Sequence, residues 1–180
     1  MRIEVLLALL SRRYKEMTGI PPNKTKLIKL AYLAEIYFKR ISGCRLTNQE
    51  WIYWKYGPYL REYDSIISDD SIFITPDPRG DYVPIDVRDD YEMEDTSLNE
   101  NTAIISALEH ASEELQQILD YVYFDTEPML AIQKRGESLD FETVLPYTFY
   151  AVKEYRISTP QGKIILHKIK EWETHKHHAS

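Results

Sequence analysis

EWIYWKYGPYL, residues 50–60, sets two Trp and three Tyr around a single Gly-Pro break. Aromatic and β-branched residues favour extended backbone, so Trp51 to Tyr56 is expected to form a strand. Pro58 pre-sets the backbone angle of a first helical turn. A helix of about residues 58–68 is therefore expected next, carrying Tyr59, Leu60, Tyr63, Ile66 and Ile67. Side chains alternate along a strand. That places Trp54 and Tyr56 on one face and Trp51 and Tyr53 on the other, with one face packed on a neighbouring helix.

Upstream, Leu27, Leu30, Ala31, Ala34, Tyr37, Phe38 and Ile41 recur at helical spacing. Asn23 or Thr25 can cap the start of that helix, and Gly43 suits the left-handed position after its end. Lys24, Lys26, Lys29, Lys39 and Arg40 give it an expected basic side. Before it, Ile3, Leu6, Leu7, Leu10, Tyr14 and Met17 predict a helix over about residues 2–17.

Downstream, the runs 72–75 and 81–85 flank a loop at 76–80 and read as a β-hairpin, with Pro84 at an edge. Residues 86–100 are acidic and poor in apolar side chains, which suggests a linker or mobile loop. A long helix is expected over about 99–124, with Ser97 and Glu100 as a capping box. A shorter helix opens at Thr126, Glu127 and Pro128 and stops at Gly136. Residues 140–156 fit a strand or an irregular segment, and a last helix starts at Pro160 with Ile165, Ile169 and Trp172 inward. The expected class is mainly α (α+β): a helical domain with a small antiparallel sheet formed by the aromatic strand and the hairpin. The expected division is 1–136, then a C-terminal extension 137–180.

The chain has 180 residues, 43% hydrophobic, enough to bury a core. A net charge of −7 argues against a phosphate backbone as the main partner and makes a basic partner easier to accommodate. One cysteine, Cys44, excludes an internal disulfide and fits a reducing compartment. The apolar run near the start, Val5 to Leu10, is too short for a membrane span or a secretory leader, so a cytoplasmic protein is expected.

Catalytic patterns are weak. Cys44 lies at a helix end without a His neighbour, and the tail histidines His175, His177 and His178 have no fixed ligand framework. His110 lacks a second His at helical spacing. Asp125, Thr126 and Glu127 at a helix start are sufficiently explained by capping; an active site there would need a pocket gathering Asp125, Glu127 and His110. Asp69 and Asp70 read as solvated loop charges. No catalytic residue, metal or cofactor is expected.

Leu27, Lys29, Leu30 and Tyr32 on the second helix, then Trp54, Tyr56, Gly57 and Pro58, then Tyr63, together resemble the SocA-like antitoxin domain, also called Panacea. The good match covers about residues 22–67. The chain departs from the family pattern at Asp125 to Met129, where relatives carry a Thr-His and a Pro-Trp pair. The resemblance implies a module that neutralises a cognate toxin protein, encoded by an adjacent gene, by direct contact or by presenting it to a protease. On this reading the motif either holds the fold or meets the partner. Loop residues Asp77 and Arg79 in the hairpin, and Asp89 and Asp90 in the acidic stretch, are candidate partner contacts. The order helix, strand, helix, hairpin is also that of a winged helix. A DNA-binding regulator using the Lys-rich helix and Arg79 is the alternative, held lower because of the charge.

Overall fold

The computed structural model describes residues 1–80 and 82–147. Met1–Val144 forms one compact unit and Leu145–Ser180 a second. The helix expected from Pro160, the tail histidines and most of the ambiguous 140–156 segment lie outside the described residues.

Helix α1, Ile3–Thr18, closes on Gly19, whose φ of 81° places it in the left-handed region. Its core face is as expected except at the last turn, where Met17 is 62% exposed. Helix α2, Lys24–Ser42, is the centre of the unit. The Asn23 side chain accepts from the Lys26 N–H at 2.7 Å, and Gly43 ends the helix. Its apolar stripe is buried from Leu27 to Tyr37 and half-buried at Phe38 and Ile41, and Ile28, Lys29, Tyr32, Leu33, Glu35 and Ile36 on its other sides are buried too. A helix enclosed on all sides must give each polar group an internal partner.

The aromatic strand β1 spans Trp51–Trp54, shorter than expected, and is followed directly by a second strand, β2, Gly57–Leu60. They pair antiparallel, with Trp51 opposite Leu60 and Tyr53 opposite Pro58. Lys55 and Tyr56 form the turn, and Gly57, at φ 87°, takes the left-handed step that re-enters the ladder. The expected helix start at Pro58 is thus a strand. The reason lies in the ladder. Tyr53 donates its N–H to Glu137 and accepts from Gly136, so its backbone faces away from β2. Pro58 therefore sits where no ladder donor is needed. The following helix, α3, is only Tyr63–Ile67. The expected alternation of faces does not hold along β1: Trp51 and Ile52 are both buried, Tyr53 is half-buried, and Trp54 to Tyr56 are exposed. A Cβ at residue 57 would meet the Tyr123 ring only at ordinary contact distance, 3.4 Å. Gly57→Ala is therefore expected to cost ~1–2 kcal/mol through the left-handed backbone alone, read as a lower denaturant midpoint.

Strands β3, Phe73–Ile74, and β4, Asp86–Val87, form the second antiparallel pair. The mainly α class with antiparallel β is borne out, with the aromatic strand and the hairpin each in its own two-stranded sheet. The hairpin pairing falls at 86–87 rather than 81–85. Pro84 instead bridges Asn23, and Ile85 donates its N–H to Pro22. The acidic stretch consequently begins as buried strand. Beyond it, Arg12 donates to the carbonyls of Arg88 and Tyr91, which ties down a segment expected to be mobile.

The single helix expected over 99–124 is two. Helix α4, Leu98–Leu108, opens on the expected capping box of Ser97 and Glu100. Helix α5, Leu115–Phe124, opens on a second box made by Glu114 and Gln117. The break frees the Ala111 carbonyl to accept from Lys26 Nζ at 2.8 Å. Helix α6, Glu127–Ala131, ends before Gly136, which is drawn away to bond Tyr53. No described helix is long and apolar enough to cross a membrane.

Candidate functional site

The motif residues divide into an interior set and an exposed set. Leu27 and Leu30 are fully buried core. Lys29 is 1% exposed and donates to the Pro58 carbonyl at 2.7 Å, which fixes the Gly-Pro segment onto α2. Tyr63 is buried and donates to the Lys24 carbonyl at 2.7 Å, tying α3 to the start of α2. Tyr32 packs edge-on against Trp51, with ring centres 5.5 Å apart. Its hydroxyl lies 2.9 Å from Thr126 Oγ1. Thr126 donates to the Val122 carbonyl at 2.6 Å, so Tyr32 is the donor to Thr126. The Thr126 side chain thus makes no helix cap, contrary to the expectation from position: the hydroxyl is turned inward to satisfy a buried tyrosine.

This pair is asymmetric. Thr126→Val strands the Tyr32 hydroxyl in the core, whereas Tyr32→Phe leaves Thr126 still bonded to Val122. Thr126→Val is expected to cost about 1–3 kcal/mol and Tyr32→Phe about 1 kcal/mol, compared by denaturant unfolding.

Lys29 has a distinctive electrostatic position. Burial alone depresses its pKa from the ordinary 10.5 to about 7. Between those values the unfolded chain binds a proton that the folded chain does not, so stability rises with pH across that window. Below pH 7 both states are protonated and the buried charge is a constant cost. Lys29→Met is expected to abolish this rise. The check is denaturant unfolding of both proteins at intervals from pH 6 to 10; matching slopes in the two proteins contradict the assignment.

Little of the expected basic side of α2 is presented. Lys39 and Arg40 are each 8% exposed, and bond Glu142 and Glu127 at 2.9 Å. Lys24 pairs with Asp64, and Lys26 bonds Tyr14 and Ala111. The buried Glu35 accepts from Arg45 at 2.5 Å and from the Thr47 N–H. Burial raises the Glu35 pKa even against the opposing Arg45.

The acid–base trio is also accounted for by structure. His110 Nε2 lies 3.0 Å from the Tyr37 hydroxyl and its Nδ1 2.9 Å from Glu113, with the ring against Tyr121. Glu127 pairs with Arg40, and the Asp125 side chain is exposed while its carbonyl accepts from Arg40. Glu127 and the Asp125 carbonyl thus share Arg40, while His110 bonds Tyr37 and Glu113. Cys44 is exposed.

Among the loop candidates, Asp77 and Arg79 pair with each other at 2.6 Å, and Asp90 pairs with Arg88 at 2.9 Å. Asp89 is exposed. Asp77 and Arg79 line a shallow depression with Ile20, Pro21, Tyr82 and Pro84.

The exposed set is the tip of the β1–β2 hairpin. Trp54 is 49% and Tyr56 58% exposed. Behind them, Tyr53 meets Tyr123 edge-on at 6.2 Å, and Tyr123 leads to Phe124, 70% exposed at the end of α5. Large aromatic side chains at a hairpin tip, Trp54 ending β1 and Tyr56 in the turn, present apolar area with few rotatable bonds to order.

Residues 27–132 match the family described as antitoxin SocA-like, Panacea domain, which is more than half of the chain; the chain belongs to that family. No curated protein and no solved structure matches it.

Proposed function

We propose that this chain, as a member of the SocA-like family, is a non-catalytic antitoxin that binds a cognate toxin protein through the β1–β2 hairpin tip. The observation that carries the reading is the split within the motif. Lys29, Tyr32, Pro58 and Tyr63 are consumed by internal bonds. Trp54 and Tyr56, in the same motif, are left facing solvent. Exposed Trp and Tyr on a rigid support are the residue types that carry binding energy at protein interfaces. The toxin is encoded next to this gene and is neutralised by direct contact, or held in a form that a protease degrades.

Growth rescue tests this directly. Each neighbouring gene is expressed alone in a bacterial host, then together with this chain. One neighbour is expected to arrest growth, this chain to restore it, and the two to co-purify. If no neighbour is toxic and none binds, the reading is wrong.

A further inference from the structure

Three elements grip the β1–β2 hairpin, at two levels. From α2, Lys29 donates to the Pro58 carbonyl at 2.7 Å. From the segment after α6, Glu137 accepts the Tyr53 N–H at 2.9 Å and Gly136 donates to the Tyr53 carbonyl at 2.7 Å. Tyr53 and Pro58 face each other in the ladder, one step below the closing pair of Trp54 and Gly57. The third grip is on the closing pair itself, and it comes from one side chain of α5, Tyr123.

Tyr123 is half-buried and packs against the core. Its ring lies edge-on to Tyr53, with centres 6.2 Å apart. The hydroxyl end of the same ring lies over Gly57: a Cβ there would be 3.4 Å from the Tyr123 Cζ and hydroxyl oxygen. Gly57 has no side chain, so its backbone is open to the ring. Burial raises the pKa of the Tyr123 hydroxyl, as for a group withdrawn from water. Trp54 is opposite Gly57, so a ring that fixes Gly57 also fixes the backbone carrying Trp54 and Tyr56. Those two side chains are 49% and 58% exposed, and their placement follows the backbone beneath them.

We infer that Tyr123 is the positioning residue of the hairpin tip: its ring holds the turn from Trp54 to Gly57 in one geometry and so presents Trp54 and Tyr56 in the form that binds. This deepens the antitoxin reading and rests on it for the claim that the tip meets a partner. A surface ordered before binding loses less freedom when the complex forms, so the ring adds affinity through the turn rather than through a contact of its own.

The first readout needs no partner. Backbone 15N order parameters are measured on the full chain for Trp54 to Gly57, with the amides of α2 as the internal reference. In the parent and in Tyr123→Phe, which keeps the ring, the turn is expected near about 0.85, the value of rigid backbone; in Tyr123→Ala it is expected to fall toward about 0.6 while α2 stays unchanged. Tyr123→Leu, which keeps apolar volume but loses the flat ring, is read in the same way and carries the test if the alanine variant does not fold. A turn that stays rigid without the ring overturns the inference, and so does a loss of order spread equally over α2. The second readout is growth rescue against a toxic neighbouring gene. Tyr123→Ala is expected to leave at least about tenfold fewer survivors than the parent or Tyr123→Phe. Full protection by a variant whose turn has loosened overturns the positioning role. If no neighbour is toxic, the antitoxin reading fails on its own, and the order parameters still decide whether Tyr123 holds the turn.

Discussion

Trp51→Ala is expected to lower stability by ~3–5 kcal/mol, the range for deleting a large aromatic from a packed core. The residue is 1% exposed and packs edge-on against Tyr32, which in turn meets Phe141 at 5.9 Å. Its backbone carbonyl also accepts from Leu139, so the vacated space borders three chain segments that cannot all close in. A loss of that size is a large share of the stability of an ordinary domain. Trp54, three residues on and 49% exposed, has no such surroundings, and Trp54→Ala is expected to stay within about 1 kcal/mol. Equilibrium denaturation of the two variants beside the parent decides it. Equal losses would mean that β1 is buried along its whole length, against the observed turn.

The second large effect falls on binding. Trp54→Ala with Tyr56→Ala is expected to weaken the complex with the toxin by about 100-fold or more, because each removed ring is of the type whose truncation costs ~2 kcal/mol at interface centres. Its melt should match the parent, since neither side chain is packed in the core. Calorimetric titration of the purified partner into parent and variant measures the difference. Parent-like affinity in a folded variant would place the contact surface elsewhere on the molecule.

Local signals marked what the backbone does where one residue type has one sufficient reason. The caps at Asn23, Gly43 and the Ser97–Glu100 box all stand as read, because each satisfies a named orphan group. Periodicity failed where two elements share a period. The apolar residues of α4 and α5 run on in phase, so the break at Glu109 to Glu114 leaves no trace in the pattern. Pro58 was misplaced because its lack of an N–H is equally harmless at a helix start and at a strand position facing away from its partner. Only the long-range bonds of Tyr53 to residues 136–137 distinguish the two.

The same limit applied to the site. Lys29 and Lys39 read as a basic face, but α2 is enclosed, and their partners Pro58 and Glu142 lie far along the chain. Thr126 read as a cap until Tyr32 supplied a competing partner. The motif WIYWKYG did hold the signal for a turn: strand residues, then Lys55 and Tyr56, then glycine. Seen that way, Trp54 and Tyr56 fall at the tip and cannot both be core. The docking of the 134–136 loop beside β1 was not legible, because it rests on backbone bonds between residues far apart in the chain.

Growth rescue by two variants is the most direct measurement of where the partner binds. One variant carries Trp54→Ala and Tyr56→Ala at the hairpin tip. The other carries alanine at Asp77, Arg79, Asp89 and Asp90 in the loops. With both proteins folded and equally abundant, the expected result is that the loop variant protects cells from the toxin and the tip variant does not. Protection by the tip variant and its loss in the loop variant would contradict the hairpin tip as the binding surface.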